Sequence, residues 1–162
     1  MLAVLNGMKK KLKWIIAGLV GGVGLLQLTN PARTNPPVVH DVLIANPPPA
    51  QVAALLHAAC YDCHSHEVKW PWYSRIAPVS WLVTSDVNEG RAHLNFSDWP
   101  PEAERAAKKW DRINEVLDYR EMPPKKYTLI HADARLTEAQ RQALLDWSSA
   151  QAEQLRAAAK PE

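Results

Sequence analysis

Apolar and polar positions divide the chain into three stretches of different character. Near the amino terminus Lys9, Lys10, Lys11 and Lys13 precede an uncharged run from Trp14 to Leu28. A basic flank ahead of an apolar run is the layout of a secretory signal peptide or signal anchor, with the amino terminus inside. Those 15 residues would cover only about 23 Å of a hydrocarbon core about 30 Å thick at the helical rise. The exit LLQLTN, residues 25–30, lacks the small-x-small pattern that signal peptidase reads. Retention as an anchor is therefore expected, with Lys13 and Trp14 snorkelling to extend the span.

In the second stretch, Pro31, Pro36, Pro37, Pro47, Pro48 and Pro49 exclude continuous helix and predict an extended arm or linker of polyproline type. Within it, Val38 to Ile44 reads VVHDVLI, apolar enough to be expected to dock on the domain that follows.

From Gln51 onward apolar residues recur at helical spacing, and no strand-like alternation is present. Val52, Leu55, Leu56 and Ala59 predict a helix that ends at Cys60. Ser74 to Arg91 predicts a second, with Pro78 in its first turn, Gly90 as its stop, and Trp81, Leu82, Ser85 and Asn88 on one face. Pro100 to Tyr119 predicts a third, with Glu102 and Glu104 in its first turn and Trp110, Ile113, Val116 and Leu117 as its stripe. Thr137 with Gln140 forms a capping-box pattern opening a last helix. Its Leu136, Leu144, Leu145 and Trp147 are expected to close the fold against the helix before Cys60. Beyond Ser148 the chain turns polar and Ala-rich and is expected to project or fray.

The pattern thus predicts an all-α protein. Residues 1–30 form a signal anchor or signal peptide, 31–50 a Pro-rich arm, 51–150 a small domain of about four helices, and 151–162 a polar extension. A chain of 162 residues, 47% hydrophobic and 22% charged, suits one modest core with extensions. The net charge is +2, and after the amino-terminal lysines both signs are interspersed. Nucleic acid is excluded as a partner because its binding needs a basic stripe.

The chemistry is concentrated in Cys60-Tyr61-Asp62-Cys63-His64, a c-type haem attachment motif. Two thiols three residues apart can each add to one vinyl group of a single haem, and the adjoining imidazole can serve as proximal ligand to the iron. One haem c, covalent through Cys60 and Cys63, is the cofactor expected. Two other chemistries use such residues. A thioredoxin-like pair should follow a strand in a βαβ setting. A structural zinc site could recruit Cys60, Cys63, His64 and His66, but zinc sites draw on two separated pairs of ligands.

The wider sequence resembles a family of small bacterial haem-binding domains, a branch of the monohaem cytochromes c. The resemblance rests on CYDCHS (Cys60 to Ser65), WPWYSRIAPVSWLV (Trp70 to Val83), GR-x-x-LNFSDW (Gly90 to Trp99) and EMPPKKYTLIHADARLT (Glu121 to Thr137). Together these span roughly Leu55 to Trp147. The resemblance implies a cytochrome c-like fold around one haem.

Further cofactor-binding candidates follow from residue chemistry. Met122 sits in a stiff Glu-Met-Pro-Pro loop and is the only methionine after the amino-terminal segment. A thioether is a soft iron ligand, and 58 residues beyond His64 suffice to reach the opposite haem face. His64 and Met122 are the metal ligands expected. Trp70, Trp72 and Tyr73 are candidates for an aromatic wall, and Arg75 and Arg91 for the propionates, since a guanidinium forks onto a carboxylate. Asn95 and Ser97 could also reach a propionate or serve the turn they lie in. His57 is read as a surface histidine.

Three functions fit these residues. The first is one-electron transfer through a His/Met-ligated haem in a membrane-anchored periplasmic cytochrome, working with an unidentified redox partner. The second is a haem-based sensor or binding module. The third is a peroxidase with a labile sixth ligand, in which His93 or His131 assists peroxide cleavage. The sequence supplies no acid–base constellation, so an electron carrier is expected rather than a catalyst. The location expected is the bacterial inner membrane, with the domain facing the periplasm, or the periplasm itself if the signal is cleaved.

Overall fold

A computed structural model describes residues 2–159. All the regular structure among them is helical, and a single bridge between His40 and Asp98 is their nearest approach to a strand. The chain divides into two units, Met1–Arg33 with Trp70–Asp86 and Thr34–Lys69 with Val87–Glu162.

The first unit contains α1, Leu2–Leu26, which continues through a 3₁₀ turn at Gln27–Thr29. Its stretch Gly7–Thr29 has a mean hydropathy of 1.5, is 0% buried, and is long and apolar enough to cross a membrane. The unit also holds a 3₁₀ turn at Trp72–Arg75 and the beginning of a longer helix, α5, Val79–His93.

The structure corrects the expected helix from Ser74 to Arg91. Residues 76–78 interrupt it, and the helix runs from Val79 to His93, because Pro78 has no N–H to offer and stands ahead of the first turn. The expected apolar face is also turned outward. Ser80, Thr84, Val87 and Gly90 are buried, while Trp81 and Leu82 are 39% and 53% exposed. Small side chains let neighbouring backbone come close, and a close approach selects the face that carries them.

In the second unit the Pro-rich arm docks through its backbone. Val39 and His40 both donate to the Ser97 carbonyl, at 3.0 and 3.1 Å, and Val42 donates to Phe96 at 3.1 Å. The short helix α2, Val42–Ala45, is capped by Asp41, whose carboxylate accepts from the Leu43 and Ile44 amides. Val42 and Leu43 enter the core, whereas Ile44 is 80% exposed.

Helix α3, Ala50–Leu56, does not end at Cys60 as expected. It widens into a π turn at His57–Tyr61 and continues as α4, Asp62–His64. Helix α6, Ala103–Asp118, buries Trp110, Ile113 and Leu117 as the stripe predicts, together with Ala106 and Ala107. A short α7, Lys125–Thr128, follows. The last helix α8, Glu138–Ala158, opens on the complete capping box of Thr137 and Gln140. Its apolar face packs chiefly along α6 and only secondarily on α3, so the expected closing partner is the minor one. The helix also continues beyond Gln151, with Ala152 buried and Leu155 packed against the core. Residues 160–162 of the expected extension lie outside the described residues.

An aromatic stack runs through this core. Ring centroids are 5.1 Å apart for Tyr61 and Phe96, 5.8 Å for Phe96 and Trp99, 4.5 Å for Trp99 and Trp110, and 4.9 Å for Trp110 and Trp147. Each large ring removes on the order of 150–250 Å² from water. The stack therefore supplies much of the rigidity on which the Cys60–His64 segment rests.

Candidate functional site

Cys60, Cys63 and His64 share one continuous stretch of helix, and all three are partly buried. Insertion of a π turn at a functional segment is a recurrent use of that geometry. Tyr61 between them is a core residue at 2% exposure. Its hydroxyl reaches both oxygens of Asp41 at 3.4 Å. Burial, and then the Asp41 carboxylate, push the Tyr61 pKa upward, so it stays a hydroxyl.

His64 is held by its Nδ1, which lies 2.8 Å from the Gly90 carbonyl and 3.1 Å from that of Leu94. Carbonyls only accept, so Nδ1 carries the proton and Nε2 is left as the basic nitrogen. Burial holds the imidazole below its ordinary pKa against the raising effect of these two hydrogen bonds. A neutral imidazole pinned at Nδ1 is the form in which histidine ligates a metal.

Gly90 shows why this helix can deliver its carbonyl there. A Cβ at this position would lie 2.4 Å from the Cys63 carbonyl oxygen and 3.1 Å from its carbon. Gly90 is thus not the helix stop the sequence suggests. It lies inside α5, where the absence of a side chain lets the helix cross the Cys63 backbone. Alanine normally stabilises a helix interior by about 1 kcal/mol over glycine. Gly90→Ala is nevertheless expected to destabilise the protein by about 1–3 kcal/mol through overpacking. In thermal unfolding this reads as a fall of about 2–4 °C per kcal/mol, and an unchanged or raised Tm would refute the tight crossing.

Asp62, which the sequence does not mark out within the motif, is a clasp. Its carboxylate accepts from the Tyr127 hydroxyl at 2.9 Å and from the Lys69 amide at 3.0 Å. Burial, and then Asp62, push the Tyr127 pKa upward, so the donor is retained. Tyr127 in turn stacks on His131 with centroids 3.9 Å apart, and His131 Nδ1 lies 3.1 Å from the Tyr127 carbonyl. The segment after Met122 is thereby bound to the dicysteine turn.

Met122 itself is partly buried, and its backbone is held at both ends. The Glu121 and Met122 amides donate to Val116 at 2.9 and 3.2 Å, a turn closed by Arg120 at φ 56°. That left-handed conformation costs a non-glycine residue about 1–2 kcal/mol. Arg141 Nη1 then donates to the Leu117 carbonyl at 2.9 Å and to the Met122 carbonyl at 3.2 Å. Arg141 is buried, and its Nε has no partner among the described residues. Sequence reasoning missed this residue, because an arginine on an amphipathic helix ordinarily reads as surface.

Arg91 points its donors at protein acceptors: Nε to the Ser65 carbonyl at 2.7 Å, Nη1 to Thr34 at 3.0 Å and Nη2 to Asn35 Oδ1 at 3.2 Å. It braces the loop after His64 against the arm. Ser97 and Asn95 serve the same loop. Ser97 Oγ accepts from the His66 amide, and Asn95 Nδ2 lies 2.8 Å from His66 Nε2. Of the remaining candidates, Trp70, Trp72, Tyr73 and Arg75 belong to the first unit. Trp72 is 74% exposed. His57 and His93 are exposed.

The donor set argues against the two rival chemistries. Among the described residues no group of three or more His, Cys, Asp or Glu side chains is arranged to hold a metal ion by itself. His66, the fourth zinc candidate, has its Nδ1 2.9 Å from the Pro37 carbonyl and its Nε2 on Asn95. A thioredoxin-like pair should follow a strand, whereas these cysteines lie on helix, and burial, reinforced by Cys63, pushes the Cys60 thiol up to about 12. A haem fits these residues better, since its porphyrin supplies four ligands and the protein need supply only axial ones.

Comparison with known proteins agrees. A family model described as a haem-binding domain matches residues 21–150, a span that contains Cys60, Cys63, His64 and Met122. No curated protein and no solved structure matches the chain.

Proposed function

The chain belongs to the haem-binding domain family, and from that premise we propose a membrane-anchored, periplasmic monohaem c-type cytochrome that passes single electrons to and from a partner protein. Cys60 and Cys63 hold one haem c covalently, and His64 and Met122 provide the axial ligands. The observation that carries the reading is the His64 imidazole, with Nδ1 spent on two backbone carbonyls and Nε2 left basic. When bound, the haem supplies an iron that changes oxidation state by one electron.

The protein's contribution is to bind, orient and exclude. The Gly90 and Leu94 carbonyls fix the His64 ring and raise its basicity as a ligand. Met122, with both its amide and its carbonyl anchored, offers a soft thioether from a backbone that cannot drift. With Met122 as well as His64 ligating, water and small substrates would be kept off the iron, which suits electron transfer and opposes peroxide chemistry. The anchor reading is supported by the lysines before Trp14 and by the exposed apolar length of α1.

Absorption spectra of the ferric and ferrous protein test the reading. A methionine-to-iron charge-transfer band with a low-spin ferric spectrum is the expected result. A high-spin ferric spectrum would instead favour the sensor or the peroxidase.

A further inference from the structure

The first unit carries an apolar surface of which the haem reading named only Trp72. Trp72 is 74% exposed, Ile76 43%, Val79 42%, Trp81 39% and Leu82 53%. These residues are tied to the exit end of α1. The Ala77 amide donates to Gln27 Oε1 at 3.1 Å, Asn30 Nδ2 to the Arg75 carbonyl at 3.2 Å, Arg33 Nη1 to the Ser74 carbonyl at 3.1 Å, and Trp81 Nε1 to the Thr29 carbonyl at 3.1 Å. The apolar surface of α1 and of the 3₁₀ turn after it reaches the same level, with Leu25 69% and Leu28 82% exposed.

We infer that the segment Trp72–Leu82 lies in the headgroup region of the outer leaflet, as an interfacial platform beside the anchor. The inference rests on α1 spanning the membrane, and its occupant is the lipid bilayer. Several observations support it.

The segment is bonded to the last turn of the span, so any bilayer that α1 crosses has its surface at this height. Indoles concentrate at that depth because one part of the ring is apolar and another is polar. Trp81 meets that requirement with its N–H already satisfied on Thr29.

Finally, α5 turns its small residues inward and its large apolar ones outward. Core packing selects the inward face, and burial in the headgroup and acyl boundary would take the outward apolar residues out of water. Five large apolar residues exposed within an eleven-residue segment suit an interaction surface. Arg33 and Arg75 add positive charge beside it, which suits anionic headgroups.

The test uses the full, haem-loaded chain in vesicles of phosphatidylethanolamine and phosphatidylglycerol. A fraction of the lipid bears a diazirine close to the headgroup, and adducts are mapped by mass spectrometry after illumination. Adducts are expected at Trp72, Ile76, Val79, Trp81 or Leu82 as well as on α1. The Trp72→Ser, Leu82→Ser variant, altered only at exposed positions, should lose the adducts of the platform and keep those of α1. Adducts confined to α1 would overturn the platform and leave the anchor standing. Absence of adducts from α1 as well, with release of the protein by carbonate, would overturn the anchor on which it depends.

Discussion

Haem-loaded protein that is unfolded and extracted with acid acetone is expected to keep its haem, and the Cys60→Ser, Cys63→Ser double variant is expected to release it. Ligand bonds and packing vanish with the fold, whereas a covalent link survives its loss. Each single variant should retain one link and form a less stable holoprotein, and His64→Ala should remove the proximal ligand outright. The local structure favours two links to one group, because the thiols sit three residues apart on a stretch of helix that is pinned on several sides. Tyr61 is locked into the aromatic stack, Asp62 is clasped by Tyr127, and the Cys63 backbone lies under Gly90. Extraction of all the haem from the unaltered protein would sink covalent attachment while leaving haem binding intact.

The second large effect is expected at Met122. Met122→Ala should abolish the charge-transfer band, open the iron, and let carbon monoxide or cyanide bind readily, because alanine offers no ligand atom. Met122→His should keep six ligands and lower the reduction potential. A thioether stabilises the ferrous state relative to the ferric, and axial ligands as a class move haem potentials across about 0.8 V. A shift on the order of 0.1 V or more is therefore expected in redox titration.

The geometry sharpens the comparison. The backbone on either side of Met122 is held by Val116 and by the buried Arg141, so truncating the side chain should leave the loop in place. Loss of ligation would then be read apart from loss of fold by circular dichroism. If Met122→Ala left spectrum and potential unchanged, Met122 would not be the sixth ligand, and the His/Met electron carrier would fall with it. His131, which sits against Tyr127 on the same segment, would become the ligand to test next.

Much of this molecule was legible before any coordinates, wherever the determining physics is local. The dicysteine-histidine motif lies within five consecutive residues, so the haem binding that the family match supports was readable from it. The capping box at Thr137 and Gln140 is a contact between residues three apart, and the stripe of α6 repeats with the helical period. Both appear in the structure as the pattern predicts. The docking of Val38 to Ile44 was readable only in part: Val42 and Leu43 leave water, while Val38, Val39 and Ile44 stay exposed and backbone bonds to Ser97 and Phe96 hold the segment.

Tertiary structure decided what depends on residues brought together from afar. Periodicity alone assigned the face of α5 by hydrophobicity, yet the buried face was chosen by size, because Gly90 must clear the Cys63 carbonyl and no pattern within the helix records that neighbour. His64 acquires its tautomer from carbonyls 26 and 30 residues away. The roles of Asp62 and Arg141 exist only through Tyr127 and the carbonyls of Leu117 and Met122. By itself the sequence determined which chemical groups are present and how the chain folds over each few turns of helix. Hydrogen bonding and close packing between distant segments determined which of those groups are held, and how, since their directional and short-range energies depend on neighbours that only the completed fold supplies.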